Sequence, residues 1–289
     1  MTQLTYTVSE FAVRMAERGA ARSGRALTEP GTVPPGAGPD PCMDRHDVIT
    51  APTGGPIFKE VKRKMLAALA AGEWKPGEAI PAEPRLAERF GIAIGTLRKA
   101  IDELVAENVL LRQQGRGTFV ATHTRDRMLF LFFNIIRHDG VKEYPQVELV
   151  GFRKGRADDE AAERLQLAPR APVFAYRNAL RLGGRPVIVD DISVSAELFA
   201  GLTAERLRER TNTIYHLYQH GFGLSVVRTA ETVRAVGAPA DVAPLLGVPN
   251  GGPLLLIRRV AFTLGDRPVE FRRSYVNTAR HEYQREPGY

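Results

Sequence analysis

Residues 94–120 read IGTLRKAIDELVAENVLLRQQGRGTFV, and the period of their apolar residues changes halfway along. Ile94, Leu97, Ile101, Leu104 and Val105 recur at helical spacing and predict one buried stripe. Thr96, Arg98, Lys99, Asp102 and Glu103 lie off that stripe, with both cations near the helix start. Asn108 follows as a C-terminal stop. Leu110 to Arg112 then reads as a short strand, Gln113 to Gly117 as a tight turn, and Thr118 to Val120 as the returning strand. Gly115 and Gly117 permit positive φ at the turn and leave Arg116 projecting from its tip. A basic helix followed by a hairpin with a cationic tip has the layout of a winged helix-turn-helix. The helix would enter a major groove while the tip reaches an adjacent backbone or minor groove. Taken alone, the stretch fits a helix and hairpin packed in any small domain equally well.

The preceding segment tips the balance. Ile57, Phe58, Val61, Met65, Leu66 and Leu69 predict an amphipathic helix ending near Gly72, and residues 73–77 (EWKPG) a turn. A short helix from Glu83 to Phe90 stops at Gly91, just before the helix at Ile94; short helix, glycine turn and longer helix make a helix-turn-helix unit. The run G-x-W-x-P-G-E, P-A-E-x-x-L-A-x-x-F-G-I, T-L-R-x-A and G-x-G-T-F-V resembles the DNA-binding domain of GntR-type bacterial transcription regulators, from Pro56 to about Thr122. The resemblance implies DNA contacts from Glu83, Arg85, Ile94, Gly95, Thr96, Arg98, Lys99, Gln114, Gly115, Arg116 and Gly117. The sequence departs from the family pattern where bases are read. Ala93 and Ile94 replace a Ser-Arg pair, Pro84 replaces an arginine, and Ala82 replaces the capping serine. An alanine cap costs on the order of 1 kcal/mol of helix stability, partly offset by Glu83 at the positive end of the helix dipole.

A chain of 289 residues has room for two domains, each with its own core. A formal charge of +7 and a pI near 9.7 suit a polyanionic partner without requiring one. Cys42 is the single cysteine, so internal disulfides, thiolate zinc sites and iron–sulfur clusters are excluded. No apolar run approaches the roughly eighteen residues of a membrane span, and a reducing cytoplasm is the expected compartment. Residues 1–55 are expected to be a disordered or mis-started extension: Val8 to Arg25 allows a short helix or a transit peptide, Pro30 to Pro41 is rich in Gly and Pro, and Met43 offers a later start. The expected domains are then 56–123 and 124–289.

Past Thr122 the composition changes. Met128 to Ile136 (MLFLFFNII) reads as a dense, buried strand. An internal duplication follows: L-Q-L-A-P, P-V-F-A-Y-R and L-G-G-R-P-V, from Leu165, recur as L-G-V-P, P-L-L-L-I-R and L-G-D-R-P-V, from Leu246. Each copy predicts helix, loop, strand, glycine hairpin and strand. Two copies would pair as halves of one antiparallel sheet, with helices on one face and a ligand cleft between them. Helices near Thr203 to Arg210 and Thr213 to His220, and a strand from Ser225 to Val236, are expected between the copies. The paired G-x-R-P-V hairpins, T-I-Y-H-L-Y-Q-H-G-F at 213–222 and P-L-L-L-I-R-R at Pro253 resemble the UTRA effector-binding domain of the HutC branch of GntR-type regulators. The expected fold class is therefore α+β: an N-terminal winged helix-turn-helix and a C-terminal antiparallel-sheet, chorismate-lyase-like UTRA domain.

The resemblance implies effector contacts from Arg177, Asp190, Thr213, Tyr215, Arg228 and Tyr275. Arg177 or Arg228 could clamp a carboxylate or phosphate, Asp190 could accept a ligand donor, and Tyr275 could cover an apolar face. A sugar phosphate or a histidine-pathway acid would both qualify. Arg177 and Arg258 hold equivalent places in the two copies, and an outward-facing pairing with Glu231 or Glu270 is the competing account.

Other constellations point away from chemistry. Gly115-Arg116-Gly117 lacks the context of a phosphate loop. His216 and His220, at i and i+4, lack a third metal ligand. Asp190 and Asp191 point to opposite faces of a strand, so they cannot flank one substrate. Ser193, Ser195, Ser225 and Ser274 lack a nucleophile motif. No catalytic residue, metal or cofactor is expected. The expected protein is a ligand-responsive transcription factor, most often a repressor in such families, binding a palindromic double-stranded DNA operator as a homodimer and released by a small anionic metabolite. The alternatives are an enzyme on the chorismate-lyase-like fold and a constitutive DNA-binding protein with a degenerate sensor. The aminotransferase-fused branch of the family needs a much longer chain.

Overall fold

In the computed structural model, which describes residues 49 and 55–285, Val61, Met65 and Leu69 lie one turn apart and are all buried on helix α1 (Ile57–Ala70). Helix α2 (Glu83–Phe90) buries Leu86, Ala87 and Phe90 and ends at Gly91, whose φ of 65° closes the last turn in the left-handed region. Helix α3 (Ile94–Ala106) packs Leu97, Ala100, Ile101 and Leu104 against both. As the alanines imply, neither α2 nor α3 has a side-chain N-cap. The expected stripe needs correction at both ends, since Val105 is only half-buried. Ile94 is 38% exposed and Ala100 takes the interior place, because Ile94 opens the helix, three residues before the first buried position, Leu97. Strands β1 (Leu110–Gln113) and β2 (Gly117–Val120) pair with Gln113 opposite Gly117. The turn depends on Gly115 at φ 71° and Gly117 at φ 111°. Phe119 also bridges Ala79, which ties the segment before α2 to the hairpin.

The chain divides between Ala121 and Thr122 into two compact units. The C-terminal unit is built on a six-stranded antiparallel sheet. Its strands are β4 (Gln146–Arg156), β5 (Pro172–Leu182), β6 (Arg185–Ser195), β7 (Arg228–Gly237), β8 (Pro253–Phe262) and β9 (Pro268–Val276), in spatial order β4-β5-β6-β9-β8-β7. The duplicated copies are the β5–β6 and β8–β9 hairpins. They meet in the middle, where Asp190 pairs with Ser274 and Ile192 with Arg272.

Cross-strand rows define the two faces. One row runs Leu149, Asn178, Asp190, Ser274, Ile257 and Val233; the next on the same face runs Phe152, Tyr176, Ile192, Arg272, Arg259 and Glu231. Between them on the opposite face lie Gly151, Arg177, Asp191, Arg273, Arg258 and Thr232.

The helices occupy both faces, correcting the expectation of one. Each copy opens with a short helix, α5 (Asp159–Arg164) and α8 (Ala243–Leu246), and these cover the face of Val173, Val189 and Phe271. Helix α4 (Arg125–Leu131), helix α6 (Ala204–Arg208) and helix α7 (Ile214–Phe222) belong to the other side, where Phe132, Leu207, Tyr215 and Tyr218 pack with Tyr176 and Ile192. A sheet whose both faces are apolar needs two covering layers.

The run expected as a strand over Met128 to Ile136 instead ends helix α4 at Leu131, passes through an irregular segment, and enters a short β3 (Ile135–Arg137) paired to β10 (His281–Tyr283). Thr124 caps α4 by accepting from the Arg127 N–H, and Asp126 sits in its first turn. Leu129 is buried from the helix, and Phe132 and Phe133 are buried from the irregular segment just after it, a change of structure that a dense apolar run conceals. The expected extension over residues 1–55 lies almost wholly outside the described residues.

Candidate functional site

In the N-terminal unit, Arg85, Ile94, Gly95, Arg98 and Lys99 are exposed, as are Gln114, Gly115, Arg116 and Gly117 on the hairpin; Glu83 and Thr96 are half-buried. Arg98 is already engaged: its Nε lies 2.6 Å from Glu83 Oε2. Arg112, on β1, reaches Asp102 at 2.5 Å and Glu83 at 3.6 Å. Glu83 therefore joins α2, α3 and the hairpin into one polar face. Lys99 Nζ stands 4.2 Å from the centre of the Phe58 ring, and the Arg116 guanidinium 5.7 Å from that of Phe119. An exposed helix start and a basic hairpin tip in one small unit suit a DNA backbone and groove.

In the C-terminal unit, a cavity of about 900 Å³ opens on the sheet face of Asn178, Asp190 and Arg272. Its walls are α4, the start of β4, and the 208–214 segment that leads into α7. Asn178, Leu180 and Asp190 come from the first copy and Arg272 from the second, so the cavity lies over the first copy more than between the two.

Behind the floor is a buried polar chain. Asp190 accepts from Arg272 Nη1 at 3.0 Å and from Ser274 Oγ at 2.5 Å. Arg272 donates through Nε and Nη2 to both oxygens of Glu270, each at 3.0 Å. Glu270 also accepts from the hydroxyls of Tyr215 at 3.3 Å and Tyr218 at 2.7 Å, and Tyr218 bonds to the Tyr176 hydroxyl. Burial pushes the Asp190 carboxyl up, against the pull of Arg272. Burial alone would depress Arg272, but Glu270 and Asp190 hold it firmly charged.

Two polar groups at the cavity lack part of their pairing. Asn178 is 4% exposed, and its Oδ1 has no hydrogen-bond partner among the described residues. Arg210 is half-buried and donates to the Leu207 carbonyl, with no carboxylate partner among the described residues. Desolvation pulls its pKa down.

Of the six expected effector contacts, Asp190 and Thr213 line this cavity. Thr213 is also the N-cap of α7, its Oγ1 accepting from His216 N at 3.2 Å. Asp190 is committed to Arg272 and Ser274, so it is not the free acceptor expected. Tyr215 is fully buried, its ring centre 5.9 Å from the Arg272 guanidinium carbon. Arg177 and Tyr275 are corrected to the opposite face. Arg177 grips Asp191 at 2.6 and 2.7 Å and Asp241 at 2.8 Å, while Tyr275 packs with the cluster of Val189 and Val242. The reason is the strand alternation: Asn178 and Arg177 are neighbours in sequence, so only one can face the cavity. Arg258 pairs with Glu160 at 2.9 Å, not with the acids expected for it. Arg228 sits on the edge strand, 2.7 Å from Asp266 and stacked over Phe262.

Asn178, Arg210 and Arg272 were not legible as cavity residues. A signal existed: Glu270, Arg272 and Ser274 alternate with Phe271, Arg273 and Tyr275, a polar stripe ordinarily taken as solvent-facing. His216 and His220 stack at 4.1 Å, and no group of three metal-binding side chains occurs among the described residues. None of the described helices is long and apolar enough to cross a membrane.

A winged helix-turn-helix joined to a cavity-bearing α+β unit defines a ligand-responsive DNA-binding protein. Residues 58–120 match the family described as bacterial regulatory proteins, gntR family, and residues 142–282 match the UTRA domain. The chain is similar to the "Probable fructoselysine utilization operon transcriptional repressor" of Escherichia coli (strain K12), with 27% identity over 222 residues, 74% of this chain and 87% of the relative. It is also similar to the histidine utilization repressor of Pseudomonas putida, with 27% identity over 230 residues, 79% of this chain and 91% of the relative. The solved ligand-binding domain of a GntR-family regulator from Bordetella bronchiseptica is 34% identical, with a TM-score of 0.50, covering 53% of this chain and 96% of that one. The chain belongs to the GntR family of bacterial regulatory proteins, carrying a UTRA effector domain. It is a ligand-responsive, DNA-binding transcription regulator.

Proposed function

We propose that the protein represses transcription as a homodimer on a two-fold operator and releases it when a small anionic metabolite fills the C-terminal cavity. The observation that carries the effector reading is Arg210: a half-buried guanidinium at a cavity wall, without a carboxylate among the described residues. A cation left partly desolvated calls for an anion. Relatives named as repressors of fructoselysine utilization, mannosyl-D-glycerate transport and metabolism, and histidine utilization support repression over activation. A two-fold dimer on DNA predicts half-sites about one helical turn apart or less.

The test is operator selection from genomic fragments, followed by gel shifts with metabolites chosen by thermal shift. A metabolite at a hundredfold excess over its dissociation constant should add about 2.7 kcal/mol of stability. It should also weaken operator binding in the wild type and not in Arg210→Ala. Full ligand-dependent release by Arg210→Ala would remove the cavity from the account.

A further inference from the structure

Along β5, the residues on the cavity face change character in steps of two. Tyr176, Asn178 and Leu180 share that face, each about 7 Å from the next at normal strand rise. Arg210 lines the same cavity as Asn178 and Arg272 and donates to the Leu207 carbonyl. Asn178 is buried, with an acceptor oxygen that no donor satisfies among the described residues. Leu180 then packs with Leu129 and Phe133 in an apolar cluster, and all three also line the cavity. The lining thus combines a cation, an unsatisfied acceptor and an apolar wall.

Each of these sets a demand on whatever fills the space. A guanidinium without a carboxylate partner binds a ligand carboxylate strongly, because a charge-assisted bond there replaces lost hydration. A buried carbonyl oxygen without a donor is costly, so a ligand hydroxyl or N–H gains by meeting it. The apolar end offers nothing to a polyol and favours a hydrocarbon or ring. The charge count matters too. Arg272 is saturated by Glu270 and Asp190, and Arg208 leans toward Glu205 at 3.8 Å. Arg125 stands over the Tyr144 ring. The lining holds four arginines against four acids, Asp126, Glu143, Glu148 and Asp190, and so suits a single negative charge better than a phosphate dianion.

We infer that the effector is an amphipathic organic acid: a carboxylate at Arg210, a hydroxyl or amine N–H donating to Asn178 Oδ1, and an apolar body against Leu129, Phe133 and Leu180. The inference rests on the cavity being the effector site. It narrows the anionic class to hydroxy or amino acids with a hydrocarbon or aromatic tail and sets aside sugar phosphates.

Three matched probes test it on the full-length protein by calorimetry and thermal shift: 2-hydroxy-3-phenylpropanoate, 3-phenylpropanoate, and glucose 6-phosphate. The hydroxy acid should bind about tenfold or more tighter than either of the others. Arg210→Ala should weaken both phenyl acids. Asn178→Leu should weaken the hydroxy acid by about tenfold and leave 3-phenylpropanoate unchanged, a pattern that general unfolding would not produce. Tighter binding of glucose 6-phosphate, lost in Arg210→Ala, would overturn the class while leaving the cavity as the effector site. Binding of the hydroxy acid that ignores both substitutions would overturn the cavity reading itself. Failure of all three probes to bind at millimolar concentration would overturn the class.

Discussion

The backbone N–H of His123 donates to Gln219 Oε1 at 3.1 Å, a buried bond between residues 96 apart in sequence. Gln219 Nε2 in turn donates to Ser225 Oγ at 2.8 Å. His123 follows Val120, the last residue of the hairpin, by three positions. Gln219 lies on α7, whose start, at Thr213 and Ile214, walls the cavity. One helix thus reaches from the cavity to the segment that leads into the DNA-binding unit.

If α7 carries the signal, Gln219→Leu should uncouple the protein. The substitution leaves a buried N–H unsatisfied, and the expected loss of stability is about 1–3 kcal/mol. Effector affinity should survive, while the effector-induced change in operator affinity shrinks from a typical coupling of about 1–3 kcal/mol. Gel shifts with and without effector measure it; an unchanged ratio would place the coupling elsewhere.

His123 is 3% exposed and packs its ring 5.9 Å from both Phe132 and Tyr215. Burial, helped by nearby Arg127, drops its pKa from 6.5 to about 3. Between those values the unfolded chain binds a proton that the folded chain does not. Stability from this group is therefore complete above pH 6.5 and is lost as pH falls toward about 3, by about 1.4 kcal/mol per pH unit. His123→Phe should flatten that acid limb in denaturant titrations run from pH 7 to 4. An equally steep limb in the variant would assign the acid sensitivity to other groups.

The buried chain beneath the cavity should be fragile to removal of its cation. Arg272→Met strands Asp190 and Glu270, each hydrogen-bonded to that guanidinium, and should cost on the order of 3–5 kcal/mol. Pairing it with Asp190→Asn should recover part of the loss, since one stranded charge disappears. Urea midpoints at constant slope report both. A loss below about 1 kcal/mol in the single variant would mean that water reaches the floor.

On the DNA side, the Arg98 and Glu83 pair predicts opposite responses. Arg98→Ala should weaken operator and non-specific binding together and lower the salt slope by about one unit. Glu83→Gln removes an acid from the same face and frees Arg98, so non-specific binding should strengthen. Both variants moving in one direction would contradict a shared DNA face.

Ile94 is 38% exposed at the start of α3, where an isoleucine can touch a thymine methyl. Replacing half-site thymines one at a time by uracil, which lacks the methyl, should weaken the wild type at one position and leave Ile94→Ala indifferent there. A half-site without such a thymine, in which Ile94 still matters for a guanine, would exclude this contact.

Local signals accounted for the N-terminal unit almost completely. Helical spacing, glycines at required positive φ and a tight turn are properties of short windows, so residues 83–90 and 110–120 could be placed without knowing what packs on them. The duplication likewise announced two hairpins, because each repeat carries its own strand, turn and strand. Which side of a strand meets the cavity is a different kind of fact. Arg177 and Asn178 are adjacent, and nothing local says which one looks inward when both faces of the sheet are covered. Tertiary packing decided it: α5 and α8 took one face with its arginine and acid pairs, while α4, α6 and α7 enclosed the other around Asn178, Asp190 and Arg272. The same holds for residues 128–136, whose dense apolar run hid the passage from helix to strand within it. Sequence determined the elements and their repeats through local geometry. The cavity exists only where distant segments, from Arg125 to Arg272, close around one patch of sheet.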